Sequence, residues 1–177
     1  MYFQIFACAG ISALFPLYGK ITKKPFPPLL IWLICLHLFL SADIAAAMGG
    51  YYTFPWLDLV LHGYFGFLAS VITFCLLIGW GGKSLKPFGF FVIIFAFAMG
   101  LAALWEVFEF IGDFLFKNTA QGVAPGYVWV EGEPSPLADT MEDIAVTAVG
   151  VLSFYILVYL DKFFGYKVCK SLYNRFK

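Results

Sequence analysis

Charge is scarce in this sequence. Its 11 basic and 11 acidic residues make up 12% of 177 positions and cancel to a net charge of zero. A soluble domain usually carries about 25% charged residues. With no basic excess, nothing points to nucleic acid as a partner. Cysteine is sparse too. Cys8, Cys35, Cys75 and Cys169 stand alone, with no CxxC or other metal spacing, and three lie within apolar runs. They read as small apolar residues. A secretory leader is not expected either. The first 19 residues hold no basic stretch and no A-x-A-like site, and the first positive charges follow the apolar run. That argues against a cleaved signal peptide. No Ser or Cys nucleophile with a partnered base is evident, which argues against covalent catalysis.

What fills the chain instead is apolar. Hydrophobic residues reach 62%, with 22 Phe, 5 Trp and 10 Tyr. A soluble domain of this size could not hide that surface, so lipid must be the solvent for much of it. The expected fold is an all-α integral membrane bundle in one domain. Five runs are long enough to cross about 30 Å of hydrocarbon: residues 2–19, 29–48, 57–80, 88–116 and 139–160. The first is short and interrupted by Gly10 and Pro16. Turn residues mark the breaks: Pro25, Pro27 and Pro28, then Gly49, Gly50 and Pro55, then Gly81, Gly82 and Pro87. Residues 117–138, with Gly122, Pro125, Gly126, Gly132, Pro134 and Pro136, form a longer and more polar connection. Such a stretch is either a solvated loop or a lid.

Lys and Arg set the orientation. Lys20, Lys23 and Lys24, Lys83 and Lys86, and Lys162, Lys167, Lys170, Arg175 and Lys177 fall on one side of a five-span chain; Lys117 alone falls opposite. The positive-inside rule then puts the C-terminus in the cytoplasm and the N-terminus outside, in an inner or plasma membrane. Residues 161–177 form a basic tail in which Phe164, Val168, Leu172 and Phe176 recur every four positions. That pattern predicts a helix lying on the anionic inner leaflet.

The acids show the reverse distribution. Asp58 and His62 open span three at i, i+4; Glu106, Glu109 and Asp113 follow one stripe of span four; Asp139, Glu142 and Asp143 open span five; Asp43 lies in the outer third of span two. All gather at one depth, away from the cytoplasm. Each acid in a helix centre opposes insertion by up to about 2.5–3.5 kcal/mol, whereas an apolar residue returns about 0.3–0.6 kcal/mol. Such a stripe belongs in the bundle interior or a watery cavity. With Lys117 as the one basic residue on that side, either several carboxyls stay neutral or a cation joins them. Carboxylates with one imidazole suit Mg²⁺, Mn²⁺, Ca²⁺ or Zn²⁺.

Plainer readings stand beside each candidate. Asp58 with His62 could be a local pair at a helix start, and Glu106 with Glu109 a structural network. Asp139 could be a helix N-cap. Asp113 could simply be solvated. His37, alone in mid-span two, fits a satisfied interhelical hydrogen bond better than a ligand. Gly63, Gly66, Ala45 to Ala47, Ala102, Ala103 and Gly150 would let helices approach closely. A faint repeat relates hairpin 29–80, with Asp43 and Asp58-x-x-x-His62, to hairpin 88–160, with Asp113 and Asp139-x-x-x-Asp143.

Three motifs, Asp58-x-x-x-His62, Trp105-Glu106-x-x-Glu109 and Asp139-Thr140-x-x-Asp143, resemble in order those of the YjdF-like family of small prokaryotic inner-membrane proteins, and more distantly the VanZ-like proteins. The resemblance covers about residues 55–160. It implies a helical membrane fold with a shared polar site, and a link to the cell envelope, since VanZ-like proteins are associated with resistance to envelope-directed glycopeptide antibiotics. The chain departs from the VanZ-like pattern, where an amide tends to stand at or just after the place of Asp143.

Three functional readings remain open. In the first, Asp58, His62, Glu106, Glu109 and Asp143 hold a divalent metal, with Asp113 and Asp139 as further ligands, or act as acids and bases. Their target would be an amphipathic outer-leaflet or envelope substrate. In the second, the same carboxylates carry a cation, a proton or a cationic solute. In the third, the cluster locks helix packing in an accessory membrane protein. Oligomeric state leaves no trace in the sequence.

Overall fold

The computed structural model describes the chain apart from Met1, Pro55, 82–84, Asn118, Thr119, Ala124, Tyr127, 129–134 and Lys177, and apart from the side chains of 2–9, Ile11, Ala46, Ala47 and Tyr52. The expectations placed on Pro55, Gly82, Lys83, Gly132, Pro134 and Lys177, and on the side chains of Cys8, Ala46 and Ala47, lie outside the described residues.

Among the described residues all regular structure is helical. The elements are α1 (Tyr2–Thr22), α2 (Pro28–Phe39) with a π-helical continuation (Leu40–Ala47), α3 (Gly50–Thr53), α4 (Leu57–Gly79), α5 (Pro87–Phe116), α6 (Pro136–Phe163) and α7 (Lys167–Phe176). The prolines expected to break the chain instead start helices. Pro28, Pro87 and Pro136 each occupy a first-turn position, where no backbone donor is lost. At Gly49 the backbone turns left-handed, with φ 74°. At Gly50 a Cβ would come 2.7 Å from the Ile44 carbonyl oxygen, so this tight reversal needs both glycines.

Among the described residues, four helical stretches are long and apolar enough to cross a membrane: Pro28–Ala45, Leu57–Gly79, Pro87–Phe116 and Pro136–Phe163. They correspond to the second through fifth expected spans, with ends shifted by a few residues. The first expected span forms a helix of 21 residues. It is not among those four, so a fifth crossing stays an expectation.

Helix α4 is the hub, and its largest interface is with α6. The two run parallel, because their contacts advance together along both: His62 with Asp143, Gly63 with Val146, Gly66 with Thr147, and Phe67 with Gly150. Contact is backbone to backbone. A Cβ at Gly66 would overlap the Thr147 carbonyl oxygen, and one at Gly150 would overlap that of Gly63. Thr147 Oγ1 donates across the seam to the His62 carbonyl at 3.3 Å. Small residues thus do what the sequence expected of Gly63, Gly66 and Gly150. Ala45, buried with no exposed surface, and Ala102, 1% exposed, pack likewise, whereas Ala103 faces outward. Helix α5 runs antiparallel to both. Its Glu106 lies near the start of α4, while its Phe91 carbonyl accepts from Tyr155 Oη at 2.9 Å, far along α6.

The basic segments meet at the opposite end of the bundle from the start of α4. Lys24 Nζ donates to the Gly79 carbonyl at 3.5 Å. Phe26 stacks obliquely on Phe176 with centroids 5.1 Å apart. Asp161 accepts from Val168 N at 3.1 Å and Cys169 N at 2.9 Å, capping the start of α7. This corrects the expectation for the tail. Its apolar face does not simply lie on lipid: Phe176 is fully buried among Phe26, Leu30, Ile34, Leu68, Cys75 and Ile78, while Phe164 and Val168 are 69% and 50% exposed. Four-residue spacing reveals an apolar face but not what covers it, and here the bundle covers its C-terminal half.

Candidate metal centre

Three ionisable groups from α4 and α6 converge near the start of α4. His62 Nε2 lies 3.6 Å from Asp58 Oδ1 and 3.7 Å from Asp143 Oδ2. One ligand atom from each of the three sits within 4.8 Å of the other two. Helical spacing places Asp58 one turn above His62, and the glycine seam brings Asp143 in from α6 at the level of His62. His62 and Asp143 are 7% and 2% exposed; Asp58 is half-buried.

On the other side of the ring, His62 Nδ1 lies 3.9 Å from Glu106 Oε1. That oxygen is buried and accepts no hydrogen bond. Its neighbour, Glu106 Oε2, accepts from Gln121 Nε2 at 2.8 Å, and the same amide donates to the Glu106 carbonyl at 3.0 Å. Gln121 Nε2 also approaches Thr140 Oγ1 at 3.3 Å. Gln121, in the stretch after α5, therefore holds Glu106 from behind. Tyr51 of α3 lines the same cavity as Asp58 and His62. Burial, and then the charges of Asp58, Glu109 and Asp143, push its phenol well above the ordinary tyrosine value.

The donor set fits a divalent cation. Two ligands on a tetrahedral zinc stand about 3.4 Å apart, given bonds of about 2.0–2.2 Å. In six-coordinate calcium, bonds of about 2.3–2.6 Å at right angles put neighbouring ligands about 3.3–3.7 Å apart. Separations of 3.6 and 3.7 Å are too long for hydrogen bonds and close to those ligand spacings. A metal-bound imidazole ordinarily gives its other N–H to a carboxylate, and Glu106 is the group in place for it.

Not every expected ligand joins this group. Glu109 Oε1 accepts from Trp105 Nε1 at 2.8 Å, one turn along α5. Asp139 is half-buried in the first turn of α6. It is not the N-cap; Ser135 is, accepting from Ala138 N at 3.2 Å. Glu142 and Asp43 are exposed. Asp113 is neither a ligand of the group nor solvated. It is fully buried, and its carboxylate accepts from the backbone of Ala120 at 2.8 Å, Gln121 at 3.0 Å and Val123 at 3.2 Å. Its charge is spent on the loop. The two halves of the faint repeat thus use their acids differently. His37 makes no hydrogen bond through Nδ1; its ring meets Tyr64 edge-on at 5.3 Å.

Sequence reasoning missed Gln121, Tyr51 and Thr140's contact with the amide. An uncharged amide in a Gly- and Pro-rich stretch has no periodic neighbour to give it away.

Fold and site together define a polytopic helical membrane protein with a buried Asp/His/Asp group. Residues 2–162 match the family described as "Predicted membrane protein (DUF2238)", and the chain belongs to that family. No curated protein matches the chain, and no solved structure does.

Proposed function

We propose that Asp58, His62 and Asp143 form a divalent-metal centre of a metal-dependent membrane enzyme acting on an outer-leaflet or envelope substrate. The observation that carries this reading is the meeting of three ligand atoms within 4.8 Å, beside a buried Glu106 oxygen that lacks a partner. The metal would polarise a phosphoryl or carbonyl oxygen and bring bound water nearer its nucleophilic form. Glu106 would orient the imidazole, Glu109 would serve as a nearby acid or base, and Tyr51 would donate to substrate. Mg²⁺, Mn²⁺, Ca²⁺ and Zn²⁺ all accept this donor set.

The gathering of Lys and Arg at the far end favours placing the centre in the outer half of a cell membrane, with the C-terminus cytoplasmic. An inner-membrane, YjdF-like and distantly VanZ-like identity with a role in the envelope is part of the same proposal.

A second reading, a carrier for a cation, proton or cationic solute, is favoured by the carboxylate excess. Against it, Ser70 and Thr73 below the centre donate to their own helix, to Gly66 and Ala69 carbonyls at 2.8 and 2.7 Å. At Gly66 and Thr147 the α4–α6 seam is closed by backbone contact.

The test is metal analysis of the protein purified in detergent. The enzyme reading expects about one equivalent of divalent metal, lost in Asp143→Asn and His62→Ala. Metal-free protein after loading with each ion in turn would refute it. Proteoliposome uptake abolished by the same substitutions would instead favour the carrier.

A further inference from the structure

A small cavity lies beside the centre, framed by residues of α1 to α5. Asp58 and His62 form its polar end. Tyr51, Phe65 and Trp105 bring rings to its walls, and His37 stands beside Phe65 with ring centroids 6.1 Å apart. Apart from Ser41, the rest of the lining is aliphatic or aromatic, and among the described residues no Lys or Arg reaches it. The cavity's volume is about 160 Å³. A cavity of about 150 Å³ takes a single benzene ring, so this space suits one compact group and excludes a long chain.

We infer that this cavity binds a methylated ammonium group, with its charge beside Asp58 and its methyl groups against the rings of Tyr51, Phe65 and Trp105. The site adjoins the proposed metal centre and does not rest on it. Asp58 is half-buried, and its ionic neighbour is His62 at 3.6 Å, where a buried carboxylate ordinarily has a Lys or Arg. His62, only 7% exposed, approaches Asp58, Asp143 and Glu106 at 3.6, 3.7 and 3.9 Å, beyond hydrogen-bond length. The polar end of the cavity therefore has no internal partner for a positive charge to displace. A cation is held by the face of an aromatic ring within about 6 Å, most strongly by Trp and where water is excluded. Trp105 is fixed for this role, because its Nε1 donates to Glu109 Oε1 at 2.8 Å. Other occupants answer the lining less well. An anion meets Asp58, and a neutral hydrocarbon leaves that carboxylate desolvated without a partner. A primary ammonium brings three N–H donors to walls with few acceptors. A methylated ammonium carries the charge on a surface of methyl groups.

The test is equilibrium dialysis of radiolabelled choline against the full-length protein in maltoside detergent, treated with a chelator so that no metal contributes. The expected result is saturable binding, competed by tetramethylammonium. Dimethylbutanol, the uncharged carbon isostere of choline, should compete at least roughly tenfold more weakly. Asp58→Asn keeps the shape and removes the charge, so it should lower choline affinity by roughly tenfold or more and erase the preference over the isostere. Trp105→Leu should weaken binding, and Trp105→Phe, which keeps a ring, should restore part of it. Tyr51→Leu and Tyr51→Phe repeat that comparison on another wall, should the Trp105 variants fail to fold. Competition by free choline alone identifies a solute as the source of the group, whereas stronger competition by a short-chain phosphatidylcholine identifies a lipid head. Equal affinity for choline and its isostere would overturn the inference. So would the absence of saturable binding, or binding unchanged in Asp58→Asn.

Discussion

Within the site, His62 is the meeting point of three carboxylates, and its two nitrogens have different neighbours. Nε2 faces Asp58 and Asp143; Nδ1 faces Glu106. If Glu106 orients the ring without binding metal, Glu106→Gln should weaken metal affinity by roughly 10–100-fold and keep the stoichiometry. Isothermal titration with Mn²⁺ separates this from complete loss in Asp143→Asn. Gln121→Ala removes the amide behind Glu106 and leaves a buried oxygen without its donor, a loss of roughly 1–3 kcal/mol. Thermal unfolding in detergent should show it, and a substitution without effect would mean that water replaces the amide. The sequence made Asp58, His62, Glu106 and Asp143 visible because acids in apolar runs stand out. It could not separate them from Asp113, because a carboxylate feeding three loop amides and one facing a cavity have the same spacing on a helix.

Among the elements, the α4–α6 seam sets the geometry of the centre, since Asp143 reaches His62 only while Gly66 and Gly150 let the backbones touch. Gly150→Ala should force the helices apart, destabilise the protein by about 1–3 kcal/mol or more, and weaken metal binding together with stability. An intact centre in that variant would show that the seam is not what positions Asp143. Helix α7 offers a second test. Phe176→Ala should cost roughly 3–5 kcal/mol of docking and speed hydrogen exchange across α7, with the metal centre untouched. The sequence predicted α7 as a helix from its four-residue rhythm. It did not reveal that Phe176 enters the bundle, because a lipid surface and a protein core ask for the same apolar stripe.

Over the whole molecule, the fold was legible wherever a long apolar run ended in Pro or Gly, since an unbroken apolar run of about 20 residues crosses lipid as a helix. The π-helical turn after α2 was not legible, nor was the hold of Gln121 on Glu106, as both depend on contacts between distant segments. The separation of charge gives a topological prediction. Cysteine placed at Glu142 should react with an impermeant maleimide from outside the cell, and cysteine at Lys162 only after permeabilisation; the reverse pattern would invert the bundle.

The central claim is that imidazole and carboxylates from two parallel helices share one cation, and the chain's two histidines allow a direct test. Electron spin-echo modulation on Mn²⁺-loaded protein should show one directly bound imidazole nitrogen, lost in His62→Gln and kept in His37→Gln. A bound ion without nitrogen coupling, or a signal that vanishes with His37 instead, would contradict the account.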